Sequence, residues 1–325
     1  MKSNRPISIV TGGAGFIGVN LAQQLLIDGN AVVALDNLSL GTRNNIENLE
    51  KNNNFFFIEC DLSKSKDVDD AFKKATEING EIDEIWHLAA NSDIPAGVND
   101  SKTDLKDTFL TTFEVIRKSK KFGINKLYFA SSSAVYGDWG SKALKETLGP
   151  LKPISNYGAM KLASEAQISV AADDFLKQAI IFRFPNVVGT PATHGVIYDF
   201  IRNLKRNGKL DVLGDGTQKK SYLHVQNLID AMLFMSRQKK IKNPEIINIG
   251  CDDDGILISR IAELVRDKIS KRSKIVYGHS NKGWQGDVPK FFYDISYLRS
   301  FGWDREMSSE SAVIKAIKEV TDQLK

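Results

Sequence analysis

Serine, tyrosine and lysine residues in the middle of this chain have the spacing of an acid–base site. Ser131-Ser132-Ser133 close an apolar stretch that predicts a strand, and Tyr157 and Lys161 open a predicted helix. Residues four apart share one helical face, so the Lys161 ammonium is expected close to the Tyr157 phenol. A nearby positive charge favours the phenolate and lowers the phenol pKa towards neutral. Tyr157 is therefore a candidate general base for a hydroxyl group.

Ser132 completes this candidate set. Its hydroxyl is expected to bridge the reacting hydroxyl and to stabilise charge on that oxygen. A tyrosine and a lysine four residues apart also occur by chance at helix starts, with the lysine in solvent. The serine cluster and a nucleotide-binding turn near the N-terminus favour the catalytic interpretation. We therefore predict Ser132, Tyr157 and Lys161 as the catalytic residues.

The nucleotide-binding turn contains glycines at positions 12, 15 and 18, after a strand-like stretch at 7–11 and before an apolar helical pattern. Gly12 permits a tight turn, Gly15 lets the backbone approach a pyrophosphate, and Gly18 lets the helix pack on the sheet. The helix N-terminus offers free N–H groups to the phosphates. A glycine turn without a ligand is the alternative. The strand before and the helix after favour a dinucleotide site.

An acid ends the next predicted strand: Asp36, 18 residues beyond Gly18. A carboxylate there accepts hydrogen bonds from the adenosine ribose and repels a 2′-phosphate, so NAD is favoured over NADP. Asp61 is expected at the adenine amino group, with capping of the helix near 68–74 as the alternative role. The predicted cofactor-binding residues are Gly12, Gly15, Phe16, Ile17, Gly18, Asp36, Asn37, Asp61, Leu62, Leu88, Ala89, Ala90, Tyr157 and Lys161.

Strand and helix patterns alternate roughly every 25–30 residues up to about residue 184, as in βαβ units. The alternation predicts an α/β fold: a Rossmann-type doubly wound parallel sheet with a smaller C-terminal α/β substrate-binding lobe. Residues 1–184 are expected to form the NAD-binding domain. Residues 185–325 are expected to form mainly the substrate-binding lobe, with late strands near 222–250 joining the sheet.

Composition excludes several function classes. The net charge of +4 is dispersed, which argues against nucleic-acid binding. Cys60 and Cys251 have no paired spacing, and the four histidines form no ligand pattern, so reduced thiols and no metal site are expected. No signal peptide and no apolar run long enough to span a bilayer is present, so the prediction is a cytoplasmic protein without membrane contact.

Nine motifs together resemble the extended short-chain dehydrogenase/reductases, specifically the NAD-dependent epimerase/dehydratase family acting on nucleotide sugars. They cover residues 11–289 and comprise TGGAGFIG (11–18), Asp36-Asn37, HLAA (87–90), SSSAVYG (131–137), YGAMK (157–161), RFPNVVG (183–189), GDGT (214–217), YLHV (222–225) and GDVP (286–289). The resemblance implies NAD as cofactor, a nucleotide-diphosphate sugar as substrate, and a homodimer formed through the helices near 104–122 and 157–175. The apolar positions Phe109, Phe113 and Ile116 suit that interface, and equally suit packing in the core.

The branches of this family differ beside the serines. Dehydratases and decarboxylases carry acidic residues at the positions of Ser133 and Ala134, where this chain has none. The resemblance therefore favours reversible oxidation at C4 of the sugar, as in the 4-epimerases. Two alternatives remain: a C4 dehydrogenase that releases the 4-keto sugar, and a non-catalytic NAD-binding scaffold. Retention of both Tyr157 and Lys161 argues against the scaffold.

The family's substrate-binding positions are transferred here by motif. They correspond to Ser132, Ser133, Asn186, Val196, Lys220, Trp284 and Asp287. Lys220 and Trp284 stand where hexose epimerases carry arginines that clamp the diphosphate. A lysine still pairs with phosphate, but as a point charge. Trp284 can stack on a base or sugar, and packing against the GDVP loop is its simpler alternative role. These departures indicate a nucleotide or sugar other than that of the galactose pathway.

Overall fold

The computed structural model describes residues 5–251, 253–281, 283, 288–304 and 307–325. The strands in chain order are β1 (Ile7–Thr11), β2 (Ala31–Asp36), β3 (Phe55–Glu59), β4 (Glu84–His87), β5 (Lys126–Ala130), β6 (Ala143–Leu144), β7 (Gln178–Arg183), β8 (Asn186–Val188), β9 (Lys209–Val212), β10 (Lys219–Lys220), β11 (Tyr222–His224), β12 (Glu245–Asn248), β13 (Ile256–Leu257), β14 (Lys274–Tyr277) and β15 (Phe292–Tyr293).

The α-helices in chain order are α1 (Phe16–Ile27), α2 (Arg43–Ile46), α3 (Ser65–Asn79), α4 (Ile94–Asn99), α5 (Ser101–Asp104), α6 (Thr111–Lys121), α7 (Asn156–Asp174), α8 (Val196–Asn207), α9 (Val225–Ser236), α10 (Ile258–Ile269), α11 (Ser296–Ser300) and α12 (Ser309–Gln323). A π-helical segment, Leu105–Leu110, joins α5 to α6, and short 3₁₀ turns occupy Leu49–Lys51 and Ser133–Val135. No helix in the described ranges is long and apolar enough to cross a membrane.

Seven strands form one central sheet in the order β12-β7-β5-β4-β1-β2-β3. The pairs from β7 across to β3 are parallel. The order reverses between β1 and β4, which makes the carboxyl ends of these two strands the topological switch point where such sheets bind nucleotides. The predicted Rossmann-type sheet is therefore confirmed.

The central strands have both faces covered. Every residue of β1 and of β2 is buried, as expected for parallel strands with helices on each side. On one face, alternate strand residues such as Ile9 and Phe129 join an apolar cluster with Phe72 of α3, Val115 of α6 and Ile168 of α7. Burial of this kind contributes about 25 cal/mol per Å² of apolar surface and holds the strand ends in fixed positions.

The chain divides into two compact units. The first contains the described residues within Met1–Val135, Ser155–Arg183 and Leu233–Ile247, and it holds six of the sheet strands together with most of β12. The second contains those within Tyr136–Ile154, Phe184–Met232 and Asn248–Lys325. In the second unit an apolar cluster unites residues of α8, α10 and α12 with those of β9 and β11.

Candidate active site

The turn after β1 requires glycine at two positions, 12 and 18. Gly12 has a φ of +68°, which favours glycine, and a Cβ added to Gly18 would lie 2.1 Å from the Gly12 carbonyl oxygen. Gly15 is the N-cap of α1 and donates its N–H back to Gly12 within the turn. Phe16 and Ile17 open the helix, where the first-turn N–H groups lack helical acceptors. The turn therefore has the backbone shape that a diphosphate requires.

Asp36 ends β2 directly beside this turn. Its Oδ2 accepts the Ala14 N–H at 3.0 Å, and its Oδ1 accepts the Leu38 N–H at 2.8 Å. Burial raises the pKa of Asp36, and the backbone N–H donors oppose that effect. Each carboxylate oxygen retains a further lone pair for a ribose hydroxyl. Asn37 follows Asp36 and is exposed.

The loop after β2 also supports the turn, which the sequence patterns do not reveal. The Asn45 side-chain amide donates to the Ala14 carbonyl oxygen at 2.9 Å. A Cβ added to Gly41 would lie 2.7 Å from the Ala14 carbonyl carbon, so this glycine lets the loop lie on the turn. Asn45 and Gly41 occur in a polar stretch without hydrophobic periodicity, so the sequence pattern does not distinguish Asn45 from the other asparagines of this stretch.

Asp61 and Leu62 follow β3. Although burial opposes it, hydrogen bonds from Ser63 and the charge of Lys106 lower the pKa of Asp61. Oδ1 of Asp61 accepts from the Ser63 N–H and hydroxyl at 3.1 and 2.7 Å. The alternative role as a helix cap is wrong, because α3 begins at Ser65 after Lys64 and has no side-chain cap. Binding of adenine stays a prediction.

Leu88, Ala89 and Ala90 leave the carboxyl end of β4, at the switch point. The Leu88 and Ala89 N–H groups donate to the Thr11 hydroxyl oxygen at 3.1 and 3.2 Å. That hydroxyl lies 2.7 Å from Nδ1 of the buried His87. Having accepted two N–H groups, Thr11 donates its own proton, so Nδ1 is the acceptor. Buried hydrogen bonds through Thr11 and His87 thus fix the start of the segment 88–90.

The other nitrogen of His87 continues this chain. Nε2 lies 2.9 Å from the Thr112 hydroxyl oxygen, and that hydroxyl donates to the Thr108 carbonyl at 3.0 Å. The arrangement assigns the ring proton to Nε2. Burial lowers the pKa of His87 to about 3, with the charge of Lys161 acting in the same direction, so the imidazole is neutral. His87 belongs to the HLAA motif but was not among the predicted site residues.

The Ser132, Tyr157 and Lys161 side chains meet, as their spacing predicts. The Ser132 hydroxyl lies close enough to the Tyr157 phenol to lower its pKa. Lys161 Nζ lies 5.8 Å from the Tyr157 ring centroid and donates to the Ala130 carbonyl oxygen at 2.5 Å. Ser155 caps α7 by accepting the Gly158 N–H at 3.1 Å, which fixes the start of the helix that carries both residues.

The pKa of Tyr157 does not follow the expectation of a lowered value. Burial raises the pKa of Tyr157 to about 12; the hydrogen bond from Ser132 lowers it and the charge of Asp104 raises it further. Burial also lowers the pKa of Lys161 to about 7, partly opposed by Glu165. Without cofactor the phenol therefore keeps its proton at neutral pH. The prediction that the Lys161 charge lowers the Tyr157 pKa towards neutral is wrong for the chain without cofactor, because removal of the phenol from water has the largest effect.

Asp104 is a buried acid that the sequence patterns did not single out. Asn91 donates to its Oδ1 at 2.8 Å, and burial raises the pKa of Asp104. A Cβ added to Gly97 would lie 1.8 Å from Oδ2 of Asp104. Asn156, next to Tyr157, donates to the Gly97 carbonyl oxygen at 2.9 Å. Asp104 thus packs against the segment that contacts the start of α7.

The predicted substrate residues fall into both units. Ser132 and Ser133 lie in the first, where Ser133 is half-buried in a 3₁₀ turn. In the second, Asn186 is exposed at the start of β8, Val196 begins α8, and Lys220 is buried on β10 beside Ile256. Trp284 and Asp287 lie outside the described residues. Across the described ranges, no group of three or more His, Cys, Asp and Glu side chains is arranged to hold a metal ion.

The site combines a glycine turn at a helix N-terminus, an acid at the end of β2, and a serine after β5 beside a tyrosine and a lysine of α7. This combination is typical of the short-chain dehydrogenase/reductase class. The model of the NAD dependent epimerase/dehydratase family matches residues 8–250, and the chain belongs to this family. It is therefore an NAD-dependent enzyme. The residues around the turn fit that cofactor, since the turn requires glycine at positions 12 and 18 and Asp36 disfavours a 2′-phosphate.

Named relatives cover nearly the whole chain. A putative UDP-glucose 4-epimerase of Methanocaldococcus jannaschii is 29% identical over 95% of this chain and 96% of its own. A crystal structure of a UDP-galactose 4-epimerase is 31% identical, covers 98% of this chain and 100% of its own, and has a TM-score of 0.85. UDP-glucuronic acid 4-epimerase from Bacillus cereus, solved with UDP-glucuronic acid and NAD, is 25% identical over 98% and 99%, with a TM-score of 0.86.

Proposed function

We propose that this chain catalyses the reversible 4-epimerisation of a nucleotide-diphosphate sugar through a 4-keto intermediate. The observation that carries the proposal is that Ser132 and Lys161 both lie beside Tyr157: Ser132 lowers the phenol pKa, and Lys161 Nζ is 5.8 Å from the ring centroid. The three relatives described above are all named as 4-epimerases of UDP-sugars, which supports the same class of substrate.

Tyr157 is the proton-transfer group in this mechanism. Its oxygen takes the C4 hydroxyl proton during oxidation and returns it when the ketone is reduced. Because burial raises the pKa of Tyr157 to about 12, the phenol is protonated at neutral pH before NAD binds. Its action as a base requires added positive charge, from protonated Lys161 and from the nicotinamide ring. Bound NAD would accept the hydride from C4 of the sugar during oxidation and would return it when the 4-keto sugar is reduced.

Ser132 orients the reacting oxygen. Its side chain lowers the Tyr157 pKa, and its Oγ accepts the Ala134 N–H at 3.2 Å, which restrains its rotamer. A substrate oxygen bound between the two hydroxyls would receive a hydrogen bond from each as charge develops. Next to them stand Ser133 and Ala134, which cannot act as acids at neutral pH. Elimination of water or loss of carboxylate therefore lacks its proton donor at these positions.

Substrate contacts outside this set are part of the same proposal. We infer that Asn186, Val196 and Lys220 bind the nucleotide diphosphate, that Trp284 stacks on the base or sugar, and that Asp287 is a further substrate contact. Lys220 would meet a phosphate as a single charge, without the paired geometry of an arginine. This predicts a different affinity for UDP-sugars from that of a site with two arginines.

Incubation with a panel of UDP-, GDP- and dTDP-sugars in deuterated water tests the proposal. The expected result is a C4 epimer of one sugar, formed without net accumulation of NADH and without deuterium at C4, because the hydride returns to the carbon it left. The panel includes glucose, glucuronic acid and N-acetylglucosamine derivatives, and NMR identifies the product.

Two results would contradict 4-epimerisation. Release of a 4-keto sugar with stoichiometric NADH would identify a C4 dehydrogenase. Binding of NAD without turnover of any sugar in the panel would favour the non-catalytic NAD-binding scaffold. An identical panel with the Tyr157→Phe protein is the control for contaminating enzymes.

We also propose that the chain forms a homodimer through α6 and α7. Phe109 and Phe113 stack with ring centroids 6.4 Å apart and are half-buried, while Val170 of α7 is 66% exposed. Ile116 instead packs in the core of the first unit. Light scattering coupled to size exclusion should give twice the chain mass. Val170→Glu should reduce it to one chain, whereas Ile27→Glu, at an exposed position on α1, should not.

A further inference from the structure

Three buried side chains of the first unit form a cluster next to the catalytic set. The Arg183 guanidinium, at the end of β7, donates twice to the Glu165 carboxylate of α7: Nε to Oε1 at 3.0 Å and Nη2 to Oε2 at 2.6 Å. The Ser131 hydroxyl, just after β5, donates to Oε1 as well. Each of the three residues is at most 4% exposed. The cluster therefore ties the ends of two strands to the catalytic helix.

Glu165 is also the helical neighbour of Lys161, four residues along α7. Oppositely charged residues at this spacing normally pair with each other. Here the Lys161 ammonium donates to the Ala130 carbonyl instead, and no direct ion pair joins Lys161 to Glu165 in this part of the described chain. Both Glu165 oxygens are directed to Arg183, whose planar fork fixes the orientation of the carboxylate.

We propose that Arg183, with Ser131, holds the Glu165 carboxylate away from Lys161, so that Lys161 stays on the Ala130 carbonyl beside Tyr157. Glu165 and Arg183 are then positioning residues for the catalytic lysine. This geometry explains how Glu165 can lie one helical turn from Lys161 without forming an ion pair with it. If Glu165 were released, it would form the ordinary helical ion pair and draw the ammonium along α7. The inference depends on the proposed function only for the task given to Lys161.

The charge balance around Lys161 makes this inference measurable. The titratable side chains facing it are Tyr157 and Glu165 on α7 and the neutral His87 on β4, with Arg183 on β7 and Asp104 on α5 beyond them. Burial lowers the pKa of Lys161 to about 7, and Glu165 opposes that effect from a distance. Removal of Glu165 should therefore lower the Lys161 pKa further. Removal of Arg183 should raise it, because the carboxylate is no longer neutralised and can pair directly.

Carbon-13 NMR of the full chain labelled at lysine Cε measures this pKa, with the signal assigned by its loss in Lys161→Met. We expect a shift of about one pH unit downward in Glu165→Gln and about one unit upward in Arg183→Met. Independent loss of the two charges would also give shifts of opposite sign, so the double variant described next separates that case from positioning. Equal values in both variants, or shifts of the same sign, would overturn the inference.

A double variant protects the test against misfolding. Arg183→Met leaves a buried carboxylate without its partner, whereas Glu165→Gln combined with Arg183→Met removes both charges. The double variant should reproduce the downward shift of Glu165→Gln, and an unchanged Lys161 pKa there would also reject the inference. The matched control is Glu114→Gln, which removes a different buried carboxylate paired with an arginine, Arg117, at 2.7 Å. It should leave the Lys161 pKa unchanged.

Activity separates this inference from the proposed function. The pH dependence of epimerisation should move with the Lys161 pKa, downward in Glu165→Gln and upward in Arg183→Met. If the NMR shifts occur and the activity profile does not move, the positioning role stands and the catalytic role of Lys161 is rejected. If the NMR shifts are absent, the positioning role is rejected whatever the activity.

Discussion

The Asp36 carboxylate accepts a hydrogen bond from the Ala14 N–H, with 3.0 Å between Oδ2 and nitrogen. The acid that is expected to select NAD over NADP therefore also stabilises the glycine turn that is expected to bind the diphosphate. Asp36→Ala should weaken NAD binding about tenfold or more. The variant loses the charged hydrogen bond expected to the ribose and the one to the Ala14 N–H that supports the turn. The ratio of NADP to NAD affinity should rise, since the repulsion of a 2′-phosphate is removed. Titration calorimetry with both cofactors measures this.

Asp28→Ala is the control for that experiment. Asp28 follows α1 in the same unit and pairs with Arg237 at 2.6 Å, away from the glycine turn. Its replacement should leave both affinities unchanged. An Asp36→Ala protein with an unaltered NADP to NAD ratio would show that another group excludes the 2′-phosphate.

Tyr157→Phe tests the proton-transfer role. Loss of the phenol oxygen should reduce epimerisation by about 100- to 10,000-fold while NAD remains bound, because the ring and its packing are retained. Product formation is followed by NMR and bound NAD by absorbance of the released cofactor. Tyr128→Phe is the matched control: Tyr128 is a buried tyrosine that hydrogen-bonds Gln178 at 3.1 Å. Full turnover in Tyr157→Phe would reject the assignment.

Asp104→Asn tests the electrostatic influence of the buried acid. Its charge raises the pKa of Tyr157, so the amide, which can still accept from Asn91, should lower it. Ultraviolet titration of tyrosinate, taken as the difference from the Tyr157→Phe protein, should show ionisation at lower pH. The limb of the pH–rate profile that requires phenolate should move in the same direction. A shift to higher pH would mean that Asp104 carries its proton and donates it.

His87 predicts a specific loss of stability in acid. Its pKa is lowered from 6.5 to about 3 in the folded chain, so the unfolded chain binds the additional proton between these values. The contribution is complete above pH 6.5 and is lost as pH falls towards 3, by about 1.4 kcal/mol per pH unit. In urea unfolding, the free energy of unfolding of His87→Asn should therefore fall less steeply between about pH 6 and pH 4 than that of the original chain. The exposed His279→Asn should keep the slope of the original chain.

Local pattern was sufficient for the first half of the site. The strand before Gly12, the helix after it and the four-residue spacing of Tyr157 and Lys161 are short-range features, and each has its expected structure. The doubly wound parallel sheet followed from the alternation of strand and helix patterns, although its strand order was not predicted.

Burial and long-range pairing could not be obtained in that way. The sign of the Tyr157 pKa shift depends on how much water the packed unit excludes, which no spacing reports. Glu165 and Arg183 are 18 positions apart, and the RFPNVVG motif drew attention to Asn186 instead. Asp104 lies in a polar stretch whose helical run, Ser101–Lys121, contains the π-helical segment, so its face is not given by a simple 3.6-residue period.

The hydrogen bonds around His87 run in a single sense, from the Leu88 and Ala89 amides through Thr11, the imidazole and Thr112 to the Thr108 carbonyl. A carbonyl oxygen ends this series, and an amide begins it, so neither terminus can release or store a proton. The series can polarise the backbone at 88–90 but cannot carry charge away from Tyr157.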